Sequence, residues 1–375
     1  MHYRMLGRAG FEVSEISLGT EYLINLPAGQ AKDVVTRAIE NGVNYFDLFF
    51  ANPPFRDMMG DILAPYRQRV LLAAHLGAID VDGQYDKTRE VHLSNNMFDY
   101  FLQRYHTDYV DVAFIHNVDD HETYDKVMQP DGILGLAGRL KAAGIARSIG
   151  FSGHTVATSL AAVQSGEIDV LMFPLNLAGH AVPGRRELLQ ACYEQHIGLV
   201  AMKPFAGGKL LQEETTLELE KWHRGGEPDS LERKGGISPV QCLSYVLSLP
   251  GVSTIVPGCK TVSQLEESLA YCHATPEQRD FSAVLAGFER YDAGECVYCN
   301  HCLPCPSGID IGQTIRLLET SSRPPASQQR RVYGALPALA STCIECAQCT
   351  PRCPFGVNPQ ARIGEAALWF EGKRE

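Results

Sequence analysis

Val110-Asp-Val-Ala-Phe-Ile-His116 is a short, largely apolar run that closes on a histidine, and its pattern recurs along the chain. Ile16–Thr20, Tyr45–Leu48, Val70–His75, Ser148–Ser152, Val170–Phe173, Leu199–Lys203 and Thr254–Pro257 read the same way. Such continuous apolar runs fit strands buried on both faces. Amphipathic stretches separate them, which fits a parallel sheet with helices outside. Ala31–Glu40 gathers Val34, Val35, Ala38 and Ile39 on one helical face. Ser238-Pro239-Val240-Gln241 reads as a helix start, with Ser as N-cap, Pro in the first turn and Gln three residues after the cap. Eight strand–helix units in about 250 residues match a (β/α)8 TIM barrel, expected over 1–285. A doubly wound open sheet is the alternative. It usually has fewer strands, and no Gly-rich phosphate turn follows the first strand here.

Active sites of these barrels lie at the C-terminal strand ends. Those ends read Gly19-Thr20, Asp47, His75, His116, Ser152-Gly153-His154, Pro174–Asn176, Lys203 and Pro257-Gly258. A lone buried histidine is more often structural than catalytic. Polar residues closing six or more successive apolar strands point to a functional pocket.

Two cysteine runs occupy the last quarter: Cys296-Val-Tyr-Cys299-Asn-His-Cys302-Leu-Pro-Cys305-Pro306 and Cys343-Ile-Glu-Cys346-Ala-Gln-Cys349-Thr-Pro-Arg-Cys353-Pro354. Three cysteines at two-residue gaps wrap one iron–sulfur cube, and the fourth, before proline, ligates the other. Cys296, Cys299, Cys302 and Cys353 are therefore expected on one [4Fe–4S] cluster. Cys343, Cys346, Cys349 and Cys305 are expected on the second, in a ferredoxin-like domain over 286–375. The runs resemble a bacterial two-cluster ferredoxin, with two residues rather than three before the last cysteine of the first run. Two zinc knuckles are the alternative.

Net charge is −11 with no basic tract, which argues against nucleic acid and anionic membranes as partners. No apolar run approaches a membrane span of about 18 residues, and no signal peptide is visible at the N-terminus. Reduced, metal-bound thiolates fit a cytoplasmic location. Cys192, Cys242, Cys259 and Cys272 are scattered and read as small buried hydrophobes.

The chain resembles the aldo/keto reductase family, specifically members with a C-terminal ferredoxin extension. The resemblance rests on Tyr3–Thr20 as N-terminal hairpin and first strand, Asn41-Gly-Val-Asn-Tyr-Phe-Asp47 as the second, and Tyr109–His116 as the fourth. Ile149–His154, Ala201-Met-Lys-Pro204 and Ile255-Val-Pro-Gly258 match the fifth, seventh and eighth strand ends. It implies an Asp, Tyr, Lys and His catalytic set and a nicotinamide cofactor. Asp47 and His116 match. The Tyr position, five residues after Asp47, holds Asn52, and the Lys position holds His75. An amide does not titrate near neutral pH and cannot replace the phenol as an acid. The expected catalytic set is Asp47, Asn52, His75 and His116.

The resemblance places a cofactor along Gly19, Thr20, Ser152, Asn176, Lys203, Pro257, Gly258, Lys260, Ser263 and Gln264. Against NAD(P)H, Gln264 stands where the family often has Arg, and Ser268 where it has Asn. Losing Arg removes a bidentate phosphate partner.

Three functions compete at this point. One is an oxidoreductase of the aldo/keto reductase type acting on a small organic substrate, with His75 or His116 supplying the proton. Another is a nicotinamide-independent redox or lyase-type enzyme fed one electron at a time through the clusters by a redox partner protein or other electron donor. The third is an electron-transfer subunit of a larger complex. A flavin, or a second metal on Asp47, His75 and His116, remains open, since two His and one carboxylate form a known non-haem constellation. Lys209–Gly236 is either a lid or a solvated loop. Arg323, Arg330 and Arg331, between the cysteine runs, read as solvated surface.

Overall fold

The computed structural model describes residues 1–180, 182, 184–211, 237–285, 296, 298, 300, 302–321, 325, 327–353 and 356–372. The chain divides into two compact units. One comprises Met1–Ile79 and Lys87–Tyr291, and the other Asp80–Asp86 and Asp292–Glu375.

The first unit is built on eight parallel strands: β3 (Leu18–Gly19), β4 (Tyr45–Leu48), β5 (Leu71–Leu76), β8 (Val110–Ile115), β9 (Ala146–Ser152), β10 (Val170–Pro174), β11 (Gly198–Met202) and β12 (Val252–Val256). They lie side by side in chain order. The sheet closes on itself through parallel bridges Ile16↔Ile255 and Gly19↔Gly258. Gly19 N–H also donates to the Pro257 carbonyl at 3.0 Å across that seam. This is the expected (β/α)8 barrel, with all eight strands where the apolar runs place them. The first is the most reduced, because at the seam only isolated bridges form. The hairpin of β1 (Tyr3–Met5) and β2 (Glu12–Ser14) precedes the barrel. Leu6, Phe11 and Val13, from its turn and second strand, join Tyr45, Val112 and Val200 in a buried cluster inside the strands.

Local chemistry agrees with this layout. The helix Ala28–Glu40 buries Ala31, Val34, Val35, Ala38 and Ile39. Ser238 caps the helix Pro239–Leu247 in a full capping box with Gln241. Asp111 is 1% exposed inside β8. It is satisfied by Arg147 at 2.7 Å, Arg67 at 3.3 Å and the Leu72 N–H at 2.9 Å. A buried charge so paired has its desolvation cost offset by these ion pairs and the hydrogen bond.

A hairpin absent from the sequence reading, β6 (Ala78–Val81) and β7 (Gln84–Lys87), follows β5. Asp82-Gly83 forms its turn, both residues having positive φ, 52° and 80°. Two consecutive left-handed residues are what a type I′ hairpin turn requires.

In the second unit, the helices Ile311–Thr320 and Pro359–Glu371 enclose a small core that includes Tyr298, Cys302, Ile315, Tyr333, Ala367 and Phe370. Tyr333 stacks on Phe370 with centroids 4.3 Å apart. Lys209–Gly236 lies mostly outside the described residues, as does Arg323.

Candidate active site and cluster ligands

Adjacent strands β4, β5 and β8 deliver Asp47, His75 and His116 to one place. His75 bridges the other two: its Nε2 lies 2.8 Å from Asp47 Oδ1 and its Nδ1 lies 2.7 Å from His116 Nδ1. All three are buried, at 7%, 7% and 3% exposure. Phe114 stacks on His75 at 4.9 Å and Phe49 on His116 at 5.8 Å, so the imidazoles sit between apolar rings.

Burial pushes His116 well below the ordinary imidazole range, and His75, Arg89, Lys87 and His154 push it the same way. His116 is held neutral because its surroundings are apolar and cationic. His75 donates from Nε2–H to Asp47 and has both ring nitrogens committed. The three residues form a hydrogen-bonded chain and do not converge on one point, and among the described residues no three His, Cys, Asp or Glu side chains are placed to hold a single ion. The geometry therefore does not fit the two-His, one-carboxylate metal site.

Sequence reasoning assigned no role to Lys87 and Arg89. Lys87 Nζ donates to Asn117 Oδ1 at 3.0 Å. Arg89 donates to the carbonyls of His116 and Asn117 at 2.6 and 2.5 Å. They clamp the two residues after β8, His116 and Asn117, the second of which has φ 47°. The only available signal was the basic pair at the end of a Gly-turned hairpin. A second buried pair lies at the neighbouring strand ends: His154 Nδ1 is 3.0 Å from Asp119 Oδ2. Burial lowers His154 against the opposing pull of Asp119. Asp119, which burial alone would raise, is held low by His154.

Asn52 serves as the N-cap of the helix Pro53–Leu63, its Oδ1 accepting from Phe55 N–H at 3.2 Å. The predicted cofactor residues are also engaged. Thr20 donates to the Asp47 carbonyl at 2.6 Å. Ser152 Oγ accepts from Asn117 N–H at 2.9 Å. Asn176 Nδ2 donates to the Lys203 carbonyl at 3.0 Å, and its Oδ1 accepts from Gly179 N–H at 2.9 Å.

After β12 the turn that would hold a dinucleotide phosphate is closed by its own side chains. Gln264 Oε1 accepts from Lys260 N–H at 2.8 Å, and Thr261 Oγ1 accepts from Gln264 N–H at 3.2 Å. Ser263 Oγ lies 3.5 Å from Glu267 Oε1. The Tyr22 ring lies against Gly258, so close that a Cβ there would fall 2.4 Å from it. Lys260 Nζ sits over the same ring, 5.4 Å from its centroid. The Lys260 amide, the Gln264 side chain and the space beside Gly258 are thus already engaged within the protein. Glu21, also missed in the sequence, is pushed up by burial against the pull of Lys203, with Asp47 pushing it up further.

In the second unit, Cys305, Cys343, Cys346 and Cys349 line one cavity. That set is the one the spacing assigns to the second cluster, and it fits a cube held by four thiolates. Of the first set, Cys296, Cys302 and Cys353 are described, while Cys299 lies outside the described residues. The two loops share a backbone signature. Tyr298 and Asn300 have φ 54° and 57°, and Glu345 and Ala347, at the same offsets from Cys343, have 56° and 57°. Non-glycine residues seldom adopt this conformation, and its recurrence shows both runs folded to one pattern. Tyr298 N–H donates to Cys296 Sγ at 3.4 Å, a contact of the kind that tunes a cluster thiolate.

Comparison with known proteins agrees with both halves. The aldo/keto reductase family model matches residues 15–286. The chain belongs to the aldo/keto reductase family. A 4Fe-4S dicluster domain model matches residues 295–358. The uncharacterized oxidoreductase YqkF of Bacillus subtilis (strain 168) is 24% identical over 73% of this chain and 92% of its own length. L-galactose dehydrogenase of Arabidopsis thaliana is 25% identical over 71% of this chain and 86% of its own. The solved holo form of aldo-keto reductase AKR11C1 from Bacillus halodurans superposes with a TM-score of 0.60 at 22% identity, covering 78% of this chain and 98% of that one. The protein is an iron–sulfur oxidoreductase on this family's barrel. Among the described residues no helix is long and apolar enough to cross a membrane.

Proposed function

We propose that the barrel pocket carries out redox chemistry on a small organic substrate, with Asp47, His75 and His116 as its proton relay. The observation that carries this reading is the unbroken chain of hydrogen bonds from Asp47 through His75 to His116. His75 Nε2–H donates to Asp47, so a neutral His75 presents a lone pair at Nδ1. His116 Nδ1–H donates to it, which leaves the His116 lone pair at Nε2. A neutral His116 then has its basic nitrogen at Nε2 and can exchange one proton with a substrate oxygen. Asp47 and His75 orient the ring and stabilise the cation formed while the proton resides on His116.

Two [4Fe–4S] clusters, when bound, supply or accept electrons one at a time. Cys296, Cys299, Cys302 and Cys353 would hold one, and Cys305, Cys343, Cys346 and Cys349 the other. The closed turn around Gly258 and Lys260 favours this route over a nicotinamide. Electrons then enter from a redox partner protein, in a reducing compartment such as the cytoplasm.

The test is anaerobic turnover of small aldehydes, ketones and alcohols with a viologen dye as electron donor or acceptor. His75→Gln and His116→Gln should each abolish turnover while iron content and thermal midpoint stay near wild type. Full activity in both variants would sink the relay and favour the electron-transfer-subunit reading.

A further inference from the structure

We infer that Gln84 is a positioning residue for the cluster that Cys305 ligates, an inference that rests on the ligand assignment proposed above. The hairpin tip Asp80–Asp86 belongs to the same compact unit as the cysteine runs. Within that unit the Gln84 side-chain amide engages both polar groups of one ligand residue. Cys305 N–H donates to Gln84 Oε1 at 3.0 Å, and Gln84 Nε2–H donates to the Cys305 carbonyl at 3.3 Å. The two residues are 221 positions apart, so no local turn imposes the pairing. Other contacts hold both partners still. Asp80 Oδ1 accepts from Gly83 N–H at 2.9 Å, fixing the turn beside Gln84. Gly308 N–H donates to the Cys305 carbonyl at 2.9 Å, and Arg352 Nη1 donates to the Pro304 carbonyl at 2.7 Å.

The consequence is electrostatic. Cluster potentials depend on hydrogen bonds to the sulfurs, on nearby charge and on access of water. The Cys305 N–H is directed at Gln84 and is thereby kept from a cluster sulfur. Gln84 also covers the Cys305 peptide, since both of its polar groups are occupied by protein. Releasing that N–H and admitting water both favour the reduced cluster, which carries the extra negative charge. A carboxylate in place of the amide disfavours it, while still accepting from Cys305 N–H. Gln84 lies nine residues after His75 and three before Lys87, so a substitution at the tip leaves the pocket residues themselves unchanged.

The experiment is potentiometry monitored by electron paramagnetic resonance on the anaerobic full-length protein with its clusters. Gln84→Ala should move one cluster's potential upward and leave the other in place. Gln84→Glu should move the same cluster downward. Unchanged potentials in both variants would overturn the inference, and so would shifts of the same sign in both, the mark of a general disturbance of the fold. If Gln84→Ala loads poorly, the near-isosteric Gln84→Glu decides alone: a downward shift of one cluster supports the role and none removes it. Cys305→Ser separates the two layers. Retention of full iron, sulfide and both signals in that variant would defeat the ligand assignment itself, whatever the Gln84 variants show.

Discussion

His75 and His116 face each other nitrogen to nitrogen, Nδ1 to Nδ1 at 2.7 Å, so one must donate and the other accept. Because burial and neighbouring cations hold His116 below the ordinary imidazole range, a positive charge on that ring is disfavoured in the folded protein. The ring of His116 is therefore disposed to rest uncharged near neutral pH.

This has a consequence for stability. In the unfolded chain His116 regains an ordinary pKa of about 6.5. As pH falls below that value, the unfolded state binds a proton that the folded state refuses. Stability present above pH about 6.5 is thus lost progressively toward the depressed folded value, with a limiting slope of about 1.4 kcal/mol per pH unit for one proton. His154, also lowered by burial, adds in the same direction. The thermal midpoint should fall on going from pH 7.5 to 5.5, and His116→Gln should flatten that fall without removing it. An equal fall in wild type and His116→Gln would show that His116 is not held neutral.

The barrel was legible in the sequence because its strands are buried on both faces, which turns each into an uninterrupted apolar run ending at a polar residue such as Asp47 or His75. That these two lie near His116 followed from their place on adjacent strands. What the residues are bonded to was not legible. Asn52 reads as a substituted acid in one dimension and caps a helix in three. Gln264 reads as a weakened phosphate ligand, yet it satisfies the Lys260 N–H of its own turn. Lys87 and Arg89 escaped notice because the hairpin that ends at Lys87 and the link that carries Arg89 belong to no barrel strand, although Asp82-Gly83 marks the hairpin turn.

Asn52 offers a clean comparison between those two roles. Losing a side-chain cap typically costs about 1 kcal/mol of stability. Asn52→Ala should therefore lower the thermal midpoint modestly, while Asn52→Ser or Asn52→Asp, which keep a capping oxygen, should restore it. Turnover should follow stability. Loss of turnover in the well-capped Asn52→Ser variant would return Asn52 to the catalytic set.

Ordinary aldehyde reduction with NADPH should be slow or absent. The family's phenolic acid is missing at Asn52 and its Lys at His75. General acid catalysis is worth roughly 10²–10⁴ in rate. Fluorescence titration should also show no saturable NADPH binding, given Tyr22 against Gly258 and Gln264 on the Lys260 amide. Turnover at rates typical of the family would show that another group supplies the proton.

Anaerobically prepared protein should contain about eight iron and about eight inorganic sulfide per chain, the content of two Cys₄-ligated cubes. Cys346→Ser should remove about half of each, and the loss should destabilise the fold of 286–375, because metal binding there is part of folding. Stoichiometric zinc without sulfide would replace the iron–sulfur assignment with zinc knuckles.

Gly150 gives the last test, because it links barrel packing to the relay. It pairs with Phe114 across β8 and β9, and a Cβ at this position would lie 2.3 Å from the Phe114 ring. That ring in turn stacks on His75 at 4.9 Å. Phe114 is fully buried. Gly150→Ala should thus overpack the site, at a typical cost of about 1–3 kcal/mol, and push Phe114 toward His75. The relay hydrogen bonds depend on the angle of the His75 ring, so turnover should fall by more than the loss of folded protein explains. Phe114→Ala removes the colliding Cγ, Cδ1 and Cε1 atoms together and should cost less stability in the Gly150→Ala background than in the wild type. If Gly150→Ala is as stable and as active as wild type, Phe114 does not position His75, and the stacked ring is packing alone.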